Sequence, residues 1–229
     1  MQDNSFTHSA HKRIMSEDDG RFSEDSVGVL FPVVAIGAAA GGMDAVCRLL
    51  EHLPPDLGMA YVILLYLSPG ERGVMDLFQQ RTDMKVVVAC NTTLLEMNKV
   101  YVLPAENYLS IGIGRFVHLP VFRSNKAYHV IDHFFTTLAG IYKNNAYAVV
   151  LSGTGADGTA GIRAIRAEGG ITFAQDATAA FRGMPQYAIE SGFIDFVLPP
   201  EGIAGQLAAL KDYSFRAGAI LRHLENSKV

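Results

Sequence analysis

Three things are scarce in this sequence: cysteine, long apolar runs and clustered positive charge. Cys47 and Cys90 are the only two cysteines, far apart and without metal-ligand spacing, so both read as buried thiols. The longest apolar stretches, 61–67 and 146–151, fall far short of the roughly 20 residues a spanning helix needs, which excludes insertion into a membrane. The N-terminus mixes acids, bases and polar residues and lacks the basic start and apolar run of a secretory leader, so a cytoplasmic location is expected. Lys and Arg total 19 against 23 Asp and Glu, a formal charge of -4, and no basic cluster marks a phosphate-tracking surface. Nucleic acid is therefore not expected as a partner. Seven histidines include one i, i+4 pair, His129 and His133, but no HExxH glutamate accompanies it; neither a metal nor a cofactor is expected.

What is present is enough to bury a full core: 229 residues, 49% hydrophobic and 18% charged, fit one α/β domain with added tails. Residues 1–29 lack hydrophobic periodicity, hold six acids against three bases, and read as a disordered tail or linker. Residues 30–229 read as the domain. From Phe31, short β-branched runs alternate with helical segments, the pattern of a doubly wound, mainly parallel sheet flanked by helices. Strands are expected at 31–36, 60–67, 146–151, 171–174 and 194–197, and helices at 43–53, 72–81, 129–143, after 158 and over 200–224. The segment 85–119 holds several short apolar runs separated by turn residues, closer to a hairpin-rich antiparallel excursion than to crossovers.

Two glycine-rich turns join a buried strand to a helix, where backbone N–H groups can hold an anion or an oxyanion. The first, Gly37-Ala38-Ala39-Ala40-Gly41-Gly42, is neither a dinucleotide fingerprint nor a Walker A loop. Close strand-to-helix packing that admits only Gly and Ala accounts for it, with an anion- or nucleotide-binding regulatory role as the rival reading. The second, Ser152-Gly153-Thr154-Gly155-Ala156-Asp157-Gly158, puts Asp157 at a helix start. There it either caps that helix or presents a carboxylate at the carboxyl edge of the sheet, where open α/β folds bind ligands.

Several segments together resemble the CheB methylesterase domain. Ile36 to Gly42, Leu53-Pro54-Pro55 and Val62 to Pro69 look like its opening; Tyr101-Val102-Leu103-Pro104-Ala105, Leu151 to Gly158 and Gly183-Met184-Pro185 with Ala188-Ile189 follow in the same order. The likeness runs from about Phe31 to about Leu210. It implies a parallel-sheet hydrolase that removes methyl groups from glutamate esters on chemoreceptors, and deamidates some glutamines, through a serine, a histidine and an aspartate. At the position the resemblance gives the serine stands Ala39, followed by Ala40; at that of the histidine stands Tyr66; at that of the methionine preceding the glycine of the aspartate loop stands Thr154. Asp157 alone is retained.

A methyl group offers no lone pair for attack on an ester, and an aspartate without an imidazole has nothing to orient. In a studied serine protease the loss of nucleophile or base costs about 10⁶ in rate. A phenol of ordinary pKa near 10 supplies little phenolate at neutral pH. The expectation is a catalytically inactive pseudoesterase whose cleft, lined by Ala39, Ala40, Tyr66, Pro69, Thr154 and Asp157, binds a chemoreceptor segment or another signalling protein. Free N–H groups near Ala39 and Ala40 would accept a carboxylate or amide oxygen there. The alternative is an active methylesterase or deamidase with an unconventional nucleophile, Ser152 or Ser68. By its place at a strand end, Ser152 reads as a turn residue bonding its own backbone.

Overall fold

The computed structural model describes residues 31–66, 73–104, 109–118 and 129–211. The chain enters through β1 (Val33–Ala38) and α1 (Gly42–His52), then β2 (Ala60–Leu65) and α2 (Val74–Gln79). β3 (Lys85–Val88), β4 (Lys99–Pro104) and the pair β5 (Leu109–Gly112) and β6 (Arg115–His118) come next. The second half runs α3 (Val130–Tyr142), β7 (Ala146–Val150), α4 (Thr159–Ala167), β8 (Ile171–Gln175), α5 (Gly183–Glu190) and β9 (Phe196–Leu198), and ends in α6 (200–211).

Seven strands form one parallel sheet in the order β3-β4-β2-β1-β7-β8-β9. β1, β2 and β7 are buried along their whole length, which explains why they read as unbroken apolar runs: a strand covered on both faces has no polar side to alternate with. One face packs on α3, α4 and the β5–β6 pair through Phe134, Phe135, Leu138, Ile162 and Phe116. The other packs on α1, α2 and α6 through Leu49, Leu50, Phe78, Ile203 and Leu207. Two-sided coverage of a parallel sheet is the doubly wound architecture expected from the alternating pattern.

Local differences have physical causes. β3 and β4 join the parallel sheet, Lys85 opposite Lys99; β5 and β6 pair antiparallel, Leu109 opposite His118, with Leu94 in an antiparallel bridge to Arg115. Residues 89–98 connect two parallel neighbours without a helix, and such a link looks like a hairpin loop in the sequence. Residues 185–190, between β8 and β9, lie in α5 and so continue the alternation of strands and helices. α2 is shorter than the expected 72–81, and of 200–224 the described part is 200–211. Cys47 is buried as expected, whereas Cys90, just past edge strand β3, is exposed: an edge strand has no neighbour to cover the residues that follow it. The expected tail 1–29 lies outside the described residues. Among those described, no helix is long and apolar enough to cross a membrane.

Candidate functional site

From β1 the chain builds outward through β2 to β4, then returns to place β7 on the other side of β1. The loops after β1 and β7 leave toward opposite faces, since α1 packs on one and α4 on the other. The carboxyl ends of β1 and β7 are thus the switch point where a doubly wound sheet opens a crevice. Both glycine-rich turns and Tyr66, the residue after β2, meet there.

At the β1 turn the glycines answer to crowding. A Cβ on Gly37 would stand 2.6 Å from Ile131 Cγ2, and one on Gly42 2.6 Å from Ala38 Cβ. Gly41 adds a left-handed φ of 67° and lies against Ala180, Phe181 and Ser152. Close packing therefore accounts for the turn without a bound nucleotide. Ala39 is half-buried and Ala40 exposed. The Ala39 N–H is not free as expected: it donates to Ser152 O at 3.0 Å, because the β1 turn continues the ladder to the β7 turn. The Ala40 N–H makes no hydrogen bond among the described residues.

The β7 turn is polar and fully tied. Ser152 is buried; its Oγ donates to Ala40 O at 2.8 Å and accepts from Phe181 N at 3.0 Å, while its N–H donates to Gln175 Oε1 at 2.9 Å. One hydroxyl thus pins the β1, β7 and β8 turns together, whereas the sequence suggested a bond to its own backbone; the partners are remote in sequence and no local pattern predicts them. A hydroxyl so placed has neither access to a substrate nor an imidazole to take its proton. Thr154 is exposed on the same turn.

Asp157 does not cap its own helix. Its Oδ2 accepts from Ile131 N at 3.1 Å and its Oδ1 from Asp132 N at 3.0 Å, so it closes the first turn of α3. Gly158 N also donates to Oδ1, at 2.9 Å. Asp132 returns the favour, accepting from Gly161 N in the first turn of α4 at 2.8 Å. Each helix thereby carries the carboxylate that caps the other, an exchange invisible in a one-dimensional pattern that offers the nearest helix as the nearest cap. Burial, and the charge of Asp157 beside it, push the Asp132 carboxyl above the usual carboxylate range.

Tyr66 completes the cluster. Its hydroxyl donates to Asp157 Oδ2 at 2.8 Å and accepts from Val130 N at 3.3 Å. Burial raises the phenol well above its ordinary pKa, and the bond to Asp157 raises it further. It is a protonated donor, the opposite of what a phenolate nucleophile or a base requires. Asp157 is left 12% exposed, with four donors on two oxygens.

The structure brings Ala39, Ala40, Tyr66, Thr154 and Asp157 to one edge of the sheet; Pro69 and Ser68 lie outside the described residues. It also brings a residue that sequence reasoning had considered only in another pairing. His129 Nδ1 stands 3.6 Å from Asp157 Oδ1 and 3.5 Å from Asp132 Oδ2, while His133, one turn on, is exposed and outside this group. No short-range signal could have shown this, because the 129 and 157 positions meet only through the packing of α3 on α4.

Comparison with known proteins agrees with this architecture. The family model described as CheB methylesterase matches residues 34–207. A protein-glutamate methylesterase/protein-glutamine glutaminase 2 of Burkholderia pseudomallei (strain 1710b) is 34% identical over 188 residues, covering 80% of this chain and 54% of that protein. The protein-glutamate methylesterase/protein-glutamine glutaminase of Pyrococcus horikoshii is 29% identical over 203 residues, 85% of this chain and 55% of its own length. The chain thus spans about half the length of these relatives. The crystal structure of the Thermotoga maritima CheB methylesterase catalytic domain superposes with a TM-score of 0.71 at 28% identity, covering 80% of this chain and all of that one. With the sheet order, the two turns and a match across most of its length in agreement, the chain belongs to the CheB methylesterase family.

Proposed function

We propose that this chain is a pseudoesterase of chemotaxis-like signalling: it uses the CheB cleft to bind a chemoreceptor cytoplasmic segment or another signalling protein, and does not hydrolyse what it binds. The observation that carries the reading is the Tyr66–Asp157 bond. In a serine hydrolase the aspartate orients an imidazole that takes the proton from the nucleophile. Here a phenol with a raised pKa holds that carboxylate, and a methyl group stands at position 39. Asp157 and Tyr66, with Ala39, Ala40 and Thr154, form the wall of the proposed recognition cleft. The unspent Ala40 N–H is the donor for a side-chain carbonyl or carboxylate of the bound segment.

The relatives are named for action on protein glutamate and glutamine, so the segment would present a glutamyl ester, a glutamine or the free acid. The acting unit is taken as residues 30–229, located in the cytoplasm, with 1–29 as a tail. Burial of Ser152 and its bonds to Ala40 O and Phe181 N speak against an unconventional nucleophile there.

Methanol release from methylated chemoreceptor membranes tests the proposal. The unmodified chain is compared with an active CheB domain and with an Ala39→Ser, Tyr66→His double variant. Release by the active control but not by the unmodified chain is expected, together with retention of receptor by the unmodified chain in a co-sedimentation assay. Turnover by the unmodified chain would overturn the reading.

A further inference from the structure

Capping accounts for Asp157 and Asp132, and the cleft accounts for Tyr66, but neither accounts for His129. Its side chain is 58% exposed, yet Nδ1 lies against two carboxylates that are only 18% and 12% exposed. The separations, 3.5 Å to Asp132 Oδ2 and 3.6 Å to Asp157 Oδ1, exceed the roughly 2.7–3.2 Å of a hydrogen bond. They are close to the edge of a coordination tetrahedron: ligand atoms bound at about 2.1 Å stand about 3.4 Å apart. One ligand atom from each of the three residues lies within 4.8 Å of the other two.

We propose that His129, Asp132 and Asp157 form a binding site for a divalent transition-metal ion of the zinc type, its fourth position open to solvent. One imidazole with two carboxylates is a borderline nitrogen and oxygen set, suited to zinc more than to calcium or magnesium, which take oxygen ligands. The exposed imidazole provides the access route. Two neighbouring, largely buried carboxylates supply the charge the ion would neutralise. Two features limit the affinity. The Asp157 oxygens already accept four hydrogen bonds, and the N-terminus of α3 presents the positive end of its dipole. The site is therefore weak, and it shares Asp157 with the proposed cleft, so metal binding is read in the absence of receptor.

Titration of the full chain with Zn²⁺ by calorimetry, followed by Co²⁺ with its visible absorption read for tetrahedral intensity, tests the site. One saturable site is expected, weakened at least about tenfold by His129→Ala and by Asp132→Asn. It should be unchanged by a His8→Ala, His11→Ala variant, which removes the tail histidines as a competing source. His129 is exposed, so its variant should keep the parent melting curve and a loss of binding would not report misfolding. Absence of saturable binding, binding that survives His129→Ala, or binding lost only in the tail variant would overturn the proposal.

Discussion

The β1 and β7 turns stand side by side at the same sheet edge, and they differ in what their side chains do for the fold. Around the β7 turn Ser152 and Asp157 are each bonded to backbone groups of other elements. At the β1 turn Ala39 and Ala40 contribute only methyl groups, and its position is set by glycine packing and by the Ala39 N–H. Ser152, Asp157 and Tyr66 at this edge each accept a hydrogen bond from a backbone N–H of another element. Asp157 thus has a structural role of its own, the capping of two N–H groups of α3.

Removing that cap should break the comparison most severely. Asp157→Ala strips the Ile131, Asp132 and Gly158 N–H groups and the Tyr66 hydroxyl of their acceptor at once. At about 1–3 kcal/mol for an unsatisfied buried group, and with water replacing part of the loss, we expect destabilisation of about 3–5 kcal/mol in urea unfolding. Asp157→Asn, which keeps one acceptor oxygen, should cost less than half of that. Equal and small losses in both variants would show that the carboxylate is held for another purpose. Next in size is Ser152→Ala, which leaves Ala40 O and Phe181 N without their partner and should cost about 2 kcal/mol by the same measurement.

The architecture was legible because central strands buried on both faces and helices with one apolar side write their period directly into the chain, as β1, β2, β7 and α1 do. The positions of the site residues at the ends of β1, β2 and β7 followed from the same pattern. Their bonds did not. Of the two readings of Asp157, the carboxylate at the sheet edge agrees with the structure and the cap of α4 does not, since it serves α3; Ser152 joins three loops where the sequence suggests a local turn; and His129, which the sequence pairs with His133, lies against Asp132 and Asp157. In each case the partner is set by how α3 lies across α4 or how adjacent turns stack, a three-dimensional fact with no local period. The parallel pairing of β3 with β4 is hidden for a related reason, since residues 89–98 hold no helix to announce a crossover.

The Tyr66 hydroxyl ties the β7 turn to the start of α3, and its removal should sharpen the comparison with a smaller effect. Tyr66→Phe loses the bonds to Asp157 and Val130 while keeping the ring, for about 1 kcal/mol at neutral pH. Its pH dependence has a definite sign. The folded-state pKa lies above the unfolded value of about 10, so the contribution is complete below pH 10 and is lost as pH rises through the folded value. Tyr61, Tyr101 and Tyr142 are raised by burial in the same direction, so the parent should weaken steeply above pH 10. Tyr66→Phe should remove the share of one proton from that slope; an unchanged slope would mean that Tyr66 is not held protonated in the folded chain.

The smallest effect is expected where the family's nucleophile would stand. Ala39→Ser adds one hydroxyl at a half-buried site beside an exposed residue, with the turn fixed by its own N–H to Ser152 O and by Gly41 and Gly42. None of those constraints involves the side chain, so stability should change by no more than about 0.5 kcal/mol. Denaturation midpoints for Ala39→Ser and Ser152→Ala, measured together, put one side-chain oxygen into one turn and take one out of the other. A large loss only on the β7 side is the expected result. A loss of comparable size from Ala39→Ser would mean that the methyl group is packed against something the turn requires, and that position 39 has acquired a structural duty of its own.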